Sequence, residues 1–244
     1  MLLADTFNRH FDPQIISAAI EVLTRAGCRV HLPKPETGTR PLCCGRTFLS
    51  VGLVEEARAE AKRVVETLHP FVARGVPVIG LEPSCLLTLR DEFLAILPGE
   101  DTQRLAENAL LFEEFLERRV SDGTLTLKFP QQSERNVLLH GHCHQKSFGA
   151  LSPVEKLLKR IPGAKVSVVE TSCCGMAGAF GYGAATYDVS MKMGEASLLP
   201  AVRAASADAI VVADGTSCRH QIADGASRNA VHAAVVIRDA LSAG

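Results

Sequence analysis

The sequence has almost no net charge and no long hydrophobic segment. Its 26 lysines and arginines and 27 aspartates and glutamates leave a formal net charge of −1. Nucleic acids and anionic membranes bind proteins through a strong positive field, so we exclude both as the main partner. No apolar run approaches the roughly 20 residues of a transmembrane helix, and the N-terminus lacks the pattern of a signal peptide. We therefore predict a cytoplasmic protein without a transmembrane segment, which is peripheral to a membrane only through its partners.

Cysteine, by contrast, is abundant. Four of the eight cysteines form two adjacent Cys-Cys pairs, and a chain of 244 residues can build an apolar core without disulfides. In the absence of a secretion signal, metal binding or redox chemistry is a better interpretation than a disulfide framework. The cysteines are Cys28, Cys43, Cys44, Cys85, Cys143, Cys173, Cys174 and Cys218.

The cysteine motifs occur twice. The tripeptide Cys43-Cys44-Gly45 recurs as Cys173-Cys174-Gly175, and residues 82–86 recur in weaker form as residues 215–219. The two matches have nearly the same spacing, which indicates an internal repeat of about half the chain.

A third, weaker match extends the repeat to the start of the chain. Residues 2–8 align with residues 138–144, and this alignment puts Phe7 in the place of Cys143. We therefore predict two pseudo-repeated units, residues 1–132 and residues 133–244. The first is a degenerate copy with Phe7 in place of a cysteine, and the second has the full four-cysteine set.

Strands alternate with helices along each half. Parallel neighbours need long crossovers, so this order predicts an α/β fold in which each unit is a small, mostly parallel sheet flanked by helices. The cysteine motifs then lie after strands, at the sheet edge where ligands bind in such folds. Strands are predicted at residues 2–4, 28–32, 76–81, 136–140, 165–169 and 209–213. Helices are predicted between Asp12 and Gly27 and at residues 54–73, 86–97, 102–120, 153–160, 184–205 and 229–242.

The second repeat has the donors of a soft metal site. Four thiolates, from Cys143, Cys173, Cys174 and Cys218, favour zinc or an iron–sulfur cluster over calcium or magnesium. The adjacent pair fits a cluster somewhat better than a single zinc ion. Backbone N–H groups of a glycine-rich loop, at Gly175 and Gly178, are candidate donors to bridging sulfides.

The first repeat has three of these cysteines, Cys43, Cys44 and Cys85. They could hold a metal ion or a weaker cluster, or this half could be an unmetallated copy, and Glu82 is an alternative oxygen ligand. The remaining thiol, Cys28, is interpreted as an inert core residue.

Several histidines accompany the cysteines of the second repeat. We interpret them as hydrogen-bonding neighbours of the ligands rather than as ligands, although direct metal binding by one of them stays open. They are His140, His142, His144 and His220. A zinc-binding scaffold module and a thiol–disulfide module also stay open as functions of the whole chain.

Three segments together resemble a known family. Residues 140–146, 173–178 and 214–221 are similar to the cysteine-rich CCG domain family, which includes one of the subunits of heterodisulfide reductase and the iron–sulfur subunits of glycolate oxidase. The narrower likeness is to the C-terminal iron–sulfur region of FAD-linked oxidases of the D-lactate dehydrogenase type. The fullest family pattern ends in C-x-x-C, whereas this chain has Thr88 and Gln221 at the last position.

The resemblance implies electron transfer through a [4Fe-4S] cluster, with a non-cubane form as one option and zinc as the alternative metal. The implied ligands are Cys143, Cys173, Cys174 and Cys218. The chain has no ferredoxin C-x2-C-x2-C run and no flavin fingerprint, so we do not expect it to be active alone. We expect it to be part of an oxidoreductase for a 2-hydroxy acid, with FAD on a partner chain or an upstream domain and a ferredoxin-like iron–sulfur domain as a further partner.

Overall fold

The computed structural model describes residues 1–34, 40–171 and 173–242. It divides into two compact units, Met1–Phe115 (unit 1) and Leu116–Gly244 (unit 2). Each unit contains one small parallel sheet with helices around it, so the predicted α/β class is confirmed. Within the described residues, no helix is both long enough and apolar enough to cross a membrane.

Unit 1 has three strands in the order β1-β2-β3, and both strand pairs are parallel. Leu3 lies opposite Gly80, and Gly80 lies opposite Leu111. The strands are β1 (Leu2–Leu3), β2 (Val78–Gly80) and β3 (Ala109–Leu111). The helices are α1 (Thr6–His10), α2 (Pro13–Arg25), α3 (Arg46–Leu49), α4 (Val54–Val72), α5 (Pro83–Arg90), α6 (Glu92–Ile96) and α7 (Glu100–Asn108), and α8 (Phe112–Ser121) contains the boundary between the units.

Unit 2 has four strands in the order β5-β4-β6-β7, and every pair is parallel. The strands are β4 (Arg135–His140), β5 (Ala164–Val168), β6 (Ile210–Ala213) and β7 (Ala230–Val231). The helices are α9 (Cys143–Ser147), α10 (Leu151–Lys159), α11 (Tyr187–Glu195), α12 (Leu198–Ala204), α13 (Thr216–Ala226) and α14 (Ala233–Ser242), with a short 3₁₀ helix at Phe180–Tyr182.

Apolar side chains cover both faces of the unit 2 sheet. Val137, Leu139 and Val212 pack on one face against α10 and α14. Val211 and Ala213 point to the other face, as the alternation of side chains along a strand requires. The cluster on that second face includes Cys174 and Cys218, so two of the candidate ligands lie in apolar surroundings at the edge of the core.

The predicted strand at residues 28–32 is wrong. This segment has no strand, and one backbone hydrogen bond, from the N–H of Leu2 to the carbonyl oxygen of His31 (2.8 Å), connects it to β1. Cys28 is partly exposed rather than a core residue. The loop predicted to follow includes residues 35–39, which lie outside the described residues.

The predicted helix at residues 102–120 is also wrong, because β3 interrupts it. Residues 109–111 pair with residues 78–80 of β2, and their apolar side chains gain more from joining the sheet than from continuing α7. The N–H of Leu111 then donates to the carboxylate of Glu114 (2.9 Å), at the start of α8.

Three further helices are shorter than predicted. The helix predicted at 86–97 begins earlier, at Pro83, and breaks at Asp91. The one at 184–205 breaks after α11, and Pro200 lies in the first turn of α12, where its missing N–H is tolerated. The one at 229–242 begins as β7, which pairs with β6 before α14 starts.

Candidate metal centre

The four cysteines of unit 2 lie after three neighbouring parallel strands. Cys143 is the first residue of α9, just after β4, and Cys218 is the third residue of α13, just after β6. Cys173 and Cys174 lie in the loop that follows β5. Because the strands are parallel, their carboxyl ends share one edge of the sheet, and the three segments meet there.

The four sulfur atoms contact one another in a continuous series. The thiol of Cys143 hydrogen-bonds with that of Cys173, Cys173 with Cys174, and Cys174 with Cys218. Cys143 and Cys173 are partly exposed, whereas Cys174 and Cys218 are buried. The series therefore runs from the surface into the apolar core.

The pKa values of the four thiols are shifted in alternating directions along this series. The hydrogen bond with Cys173 raises the pKa of Cys143, and the hydrogen bonds with Cys173 and Cys218 raise the pKa of Cys174. Hydrogen bonds with Cys143 and Cys174 lower the pKa of Cys173. The pKa of Cys218 is lowered by its hydrogen bond with Cys174 and by the nearby imidazoles. Two of the four sulfurs are thus readily ionised, and thiolate is the form that binds metal.

Gly175 closes the turn after the Cys-Cys pair. Its N–H donates to the sulfur of Cys173 (3.3 Å), and its φ of +95° is one that residues with a side chain rarely adopt. A Cβ atom here would lie 2.2 Å from the carbonyl oxygen of Ser190. The turn therefore requires glycine. Gly178 also has a positive φ (+67°), but a Cβ atom there would meet nothing within 4 Å.

Polar side chains hold these segments together. Gln145, in α9, donates from Nε2 to the carboxylate of Asp214 (2.7 Å), just before α13, and its Oε1 accepts from the N–H of His142 (3.0 Å). The ammonium group of Lys146 hydrogen-bonds to the carbonyl oxygen of Thr171, just before the Cys-Cys pair. The cysteines of all three segments are therefore positioned relative to one another.

Gln221 occupies the position where the fuller family pattern has a last cysteine. Its amide donates to the backbone oxygen (3.1 Å) and the hydroxyl (3.2 Å) of Ser190, which connects α13 to α11. In unit 1, the hydroxyl of Thr88 donates to the carbonyl oxygen of Ser84 (2.7 Å). Both residues stabilise the helix that carries the preceding cysteine.

Unit 1 repeats the arrangement with one substitution. Cys43 hydrogen-bonds with Cys44, Cys44 with Cys85, and the outer partner of Cys43 is the hydroxyl of Thr6. The N–H of Gly45 donates to the sulfur of Cys43 (3.5 Å), and Gly45 has a φ of +72°. The series has the same order as in unit 2, but a hydroxyl replaces the first sulfur.

The helix caps identify the corresponding positions. Asp5 is the N-cap of α1 and His142 is the N-cap of α9, so the first helical residues are Thr6 and Cys143. This cap-based alignment places Thr6, and not Phe7, opposite Cys143. The one-residue difference arises because sequence matching aligned the apolar strands, whereas the caps show where each helix begins.

Two buried carboxylates accompany the thiols of unit 1. Asp5 caps α1, and Glu82 caps α5 by accepting from the N–H (3.3 Å) and hydroxyl (2.7 Å) of Ser84. The contact with Cys44 lowers the pKa of Cys85, but burial and the charges of Asp5 and Glu82 outweigh it and raise this pKa to about 11. Burial and Glu82 also raise the pKa of Asp5.

Most of the histidines have structural partners. Nδ1 of His142 accepts from the N–H of His144 (3.2 Å), and Nδ1 of His232 accepts from that of Ala234 (3.0 Å). His220 hydrogen-bonds with the hydroxyl of Tyr182. His140 differs: it is 1% exposed, and one of its ring nitrogens lies within 4.8 Å of the sulfurs of both Cys174 and Cys218.

Sequence reasoning did not identify the positioning residues. Gln145 and Asp214 lie in the motifs that carried the family resemblance, but nothing in their local sequence indicates that they meet. For Asp5 and Thr6 the sequence contains a weak indication of a helix start, because an aspartate at the N-cap is often followed three residues later by a side chain that hydrogen-bonds back, here Asn8.

The fold and the two sulfur series define a cysteine-rich α/β module with a candidate metal centre. Residues 137–223 match the family described as CCG, a cysteine-rich domain. The matched residues lie within unit 2, and the resemblance inferred from the motifs is confirmed.

The chain is similar to parts of two dehydrogenases and to a lactate utilization protein. One of the subunits of anaerobic glycerol-3-phosphate dehydrogenase from Escherichia coli (strain K12) is 31% identical over 97% of this chain and 57% of its own length. D-2-hydroxyglutarate dehydrogenase of the same strain is 26% identical over 91% of this chain but 20% of its own length. Lactate utilization protein A 1 of Bacillus mycoides (strain KBAB4) is 26% identical over 70% of this chain and 67% of its own length. The chain is thus related to components of oxidoreductases, and it spans only part of the two dehydrogenase relatives.

Proposed function

We propose that this chain is an iron–sulfur electron-transfer component of a flavin-linked dehydrogenase that oxidises a 2-hydroxy acid or a similar alcohol. The observation that carries the proposal is the continuous series of four cysteine sulfurs at one sheet edge of unit 2. We assign Cys143, Cys173, Cys174 and Cys218 as ligands of the cluster. The two-repeat organisation, with residues 1–132 and 133–244 as copies, belongs to the same proposal.

The extent of the series favours a cluster over one zinc ion. The four ligands of a tetrahedral zinc ion, each about 2.0–2.3 Å from the metal, lie about 3.5 Å from one another. Among the described residues, the compact donor group in unit 2 with mutual distances within 4.8 Å contains Cys174 and Cys218 but neither Cys143 nor Cys173. An extended set of thiolates is better matched to several irons bridged by sulfide.

The surroundings of the sulfurs fit electron transfer. Apolar packing around Cys174 and Cys218 keeps water from the inner part of the site, and the N–H of Gly175 donates to the sulfur of Cys173. Both features influence the reduction potential of an iron–sulfur cluster. The partly exposed Cys143 and Cys173 form the side that a redox partner can approach.

The relatives support a flavin as the electron donor. Their names refer to lactate, 2-hydroxyglutarate and glycerol 3-phosphate, all of which carry a hydroxyl group that a dehydrogenase oxidises by removing two electrons. A flavin accepts the pair and passes single electrons to clusters. We place FAD on a partner chain or domain, with a ferredoxin-like domain as a further carrier, in a cytoplasmic complex.

Unit 1 is proposed to bind metal less readily than unit 2. Cys43, Cys44 and Cys85 supply three sulfurs, and the pKa of Cys85, at about 11, disfavours its thiolate. Asp5 and Glu82 offer oxygen atoms nearby, but both also act as helix caps.

Anaerobic reconstitution with iron and sulfide tests the function. We expect the wild-type chain to gain visible absorption, iron and acid-labile sulfide, Cys174→Ser to lose most of each, and Cys28→Ser to retain them. Cys28 is a suitable control because it lies outside both sulfur series. A wild-type chain that binds neither iron nor sulfide would contradict the proposal, and stoichiometric zinc without visible absorption would favour the scaffold function.

A further inference from the structure

The position of His140 is fixed by the sheet rather than by a loop. It is the last residue of β4 and lies opposite Ala213, the last residue of β6. Cys218 follows β6 at the same sheet edge, in the third position of α13. The backbone pairing therefore holds the imidazole beside the inner sulfurs of the series.

The buried imidazole of His140 has a sulfur atom as its hydrogen-bonding neighbour. In the part of the chain that the structure describes, neither Nδ1 nor Nε2 has a nitrogen or oxygen partner, the side chain is 1% exposed, and the ring contacts the sulfur of Cys218. A neutral imidazole has one donor and one acceptor, and a buried imidazole without nitrogen or oxygen partners for them is destabilised. The other buried histidines of unit 2, His142 and His232, each have Nδ1 occupied by a backbone N–H.

Two cysteine sulfurs lie close to the imidazole ring of His140. One ring nitrogen and the sulfurs of Cys174 and Cys218 all lie within 4.8 Å of one another. Ligands of one metal atom are separated by about 3.5 Å, so a small inward movement would bring all three onto the same atom. In unit 1, the residue at the end of β1 is Leu3, which lies opposite Gly80 and has no donor atom in its side chain.

We propose that His140 is a direct ligand of the metal centre in unit 2, together with Cys174 and Cys218. The inference rests on the proposed function, because it assigns a further ligand to the same cluster. Imidazole is a neutral donor, and replacing thiolate by histidine raises the reduction potential of an iron–sulfur cluster. His140 would thus supply an additional bond, and it would give a higher potential than a cysteine thiolate at the same position.

Pulsed electron paramagnetic resonance of the full chain tests this assignment. The chain is labelled with ¹⁵N-histidine, reconstituted with iron and sulfide, and brought to a paramagnetic oxidation state. We expect a nitrogen coupling of the strength of a directly bound imidazole in the wild type and in His142→Asn, and no such coupling in His140→Leu or His140→Cys. His142→Asn is the matched control, because asparagine preserves the N-cap two residues away. The midpoint potential of His140→Cys should lie below that of the wild type.

The outcomes separate the two proposals. A wild type that binds iron and sulfide but shows no coupling overturns the assignment of His140 and leaves the electron-transfer function intact. A coupling that persists in His140→Leu, or disappears in His142→Asn, also overturns it. His140→Cys provides a second variant in case His140→Leu does not fold. A wild type without iron overturns the function and the assignment together.

Discussion

Unit 1 and unit 2 build the same arrangement of side chains with different donor atoms. In both, a glycine N–H donates to the first cysteine of the pair, and a further cysteine occupies the third position of the helix after a central strand. The series are Thr6–Cys43–Cys44–Cys85 and Cys143–Cys173–Cys174–Cys218. The backbone scaffold of a metal site can therefore persist while the donor set changes around it.

The two units also differ in the charged groups around the last cysteine of each series, Cys85 in unit 1 and Cys218 in unit 2. In unit 1, burial, Asp5 and Glu82 outweigh the contact with Cys44 and raise the pKa of Cys85 to about 11. In unit 2, Cys174 and then the imidazoles of His142 and His140 lower the pKa of Cys218. The pKa values of Cys85 and Cys218, which occupy equivalent helix positions, are thus shifted in opposite directions. Readiness to bind metal depends on the neighbouring charges and not on the cysteine motif alone.

The largest expected effect comes from giving unit 1 its missing sulfur. Thr6→Cys should complete a four-sulfur series, because the side chain of Thr6 already contacts Cys43. After anaerobic reconstitution, we expect the iron and sulfide content to rise by on the order of one further cluster per chain. Metal analysis and the intensity of visible absorption measure the change.

Phe7→Cys is the matched control for Thr6→Cys. Phe7 is the residue that sequence alignment places opposite Cys143, whereas the cap-based alignment selects Thr6. We expect no additional iron in Phe7→Cys. If Phe7→Cys gained the cluster and Thr6→Cys did not, the correspondence between the two helix starts would be wrong.

The next effect concerns the glycines after the two Cys-Cys pairs. Gly175→Ala forces a side chain into a positive φ and against the oxygen of Ser190, which should lower the free energy of unfolding by about 3 kcal/mol and reduce metal binding. Gly45→Ala should lower the free energy of unfolding by less than Gly175→Ala does, because its Cβ would lie 3.1 Å from the nearest atom, the oxygen of Ala57. Urea unfolding of the metal-free chain measures both.

Gly178→Ala separates backbone strain from crowding. Its φ is also positive, but the added methyl group would meet nothing within 4 Å, so only the strain of about 1 kcal/mol should appear. Equal losses in Gly175→Ala and Gly178→Ala would show that the close approach of Ser190 does not matter.

A smaller effect on stability is expected from the third residue of α9, Gln145, and from the third residue of α1, Asn8. Gln145→Ala removes hydrogen bonds to Asp214 and to the N–H of His142, and should cost about 2 kcal/mol and weaken metal binding in unit 2. Asn8→Ala removes one side-chain bond to Asp5 within the same helix start, and should cost about 1 kcal/mol. Unchanged metal binding in Gln145→Ala would mean that the contact with Asp214 does not position the ligands.

The sequence allowed the cysteine-bearing edge to be predicted because each motif is local. Strands, glycine or proline turns and helix starts around Cys85 and Cys218 follow one another within a few residues, so their order predicts where the sulfur lies. The mostly parallel sheet predicted for each unit follows from the alternation of strands and helices.

The remaining features depend on contacts between distant residues. Residues 109–111 form a strand only because β2 is available beside them, and the helical pattern of the surrounding residues conceals this. Thr6 resembles any helix-starting threonine until Cys43 is placed against it. The difference between His140 and the other histidines is equally invisible in sequence, because it depends on the sulfurs of Cys174 and Cys218, which come from distant segments.

The smallest expected effect is that of Glu117→Gln, which tests whether a loss of stability alone, away from the cysteines, changes metal binding. The carboxylate of Glu117 accepts two hydrogen bonds from Arg160 (2.9 and 3.0 Å), which lower its pKa below 4.5, at a site away from the cysteines. Because Arg160 is 38% exposed, Glu117→Gln should cost only about 0.5–1 kcal/mol at neutral pH. A folded-state pKa below the unfolded one stabilises the protein above pH 4.5, and this contribution is lost as the pH falls through the lowered value. The variant and wild type should therefore converge in urea unfolding at about pH 3, with unchanged iron content at pH 7. If Glu117→Gln reduced the iron content, losses of metal in the other variants could reflect general destabilisation rather than altered ligands.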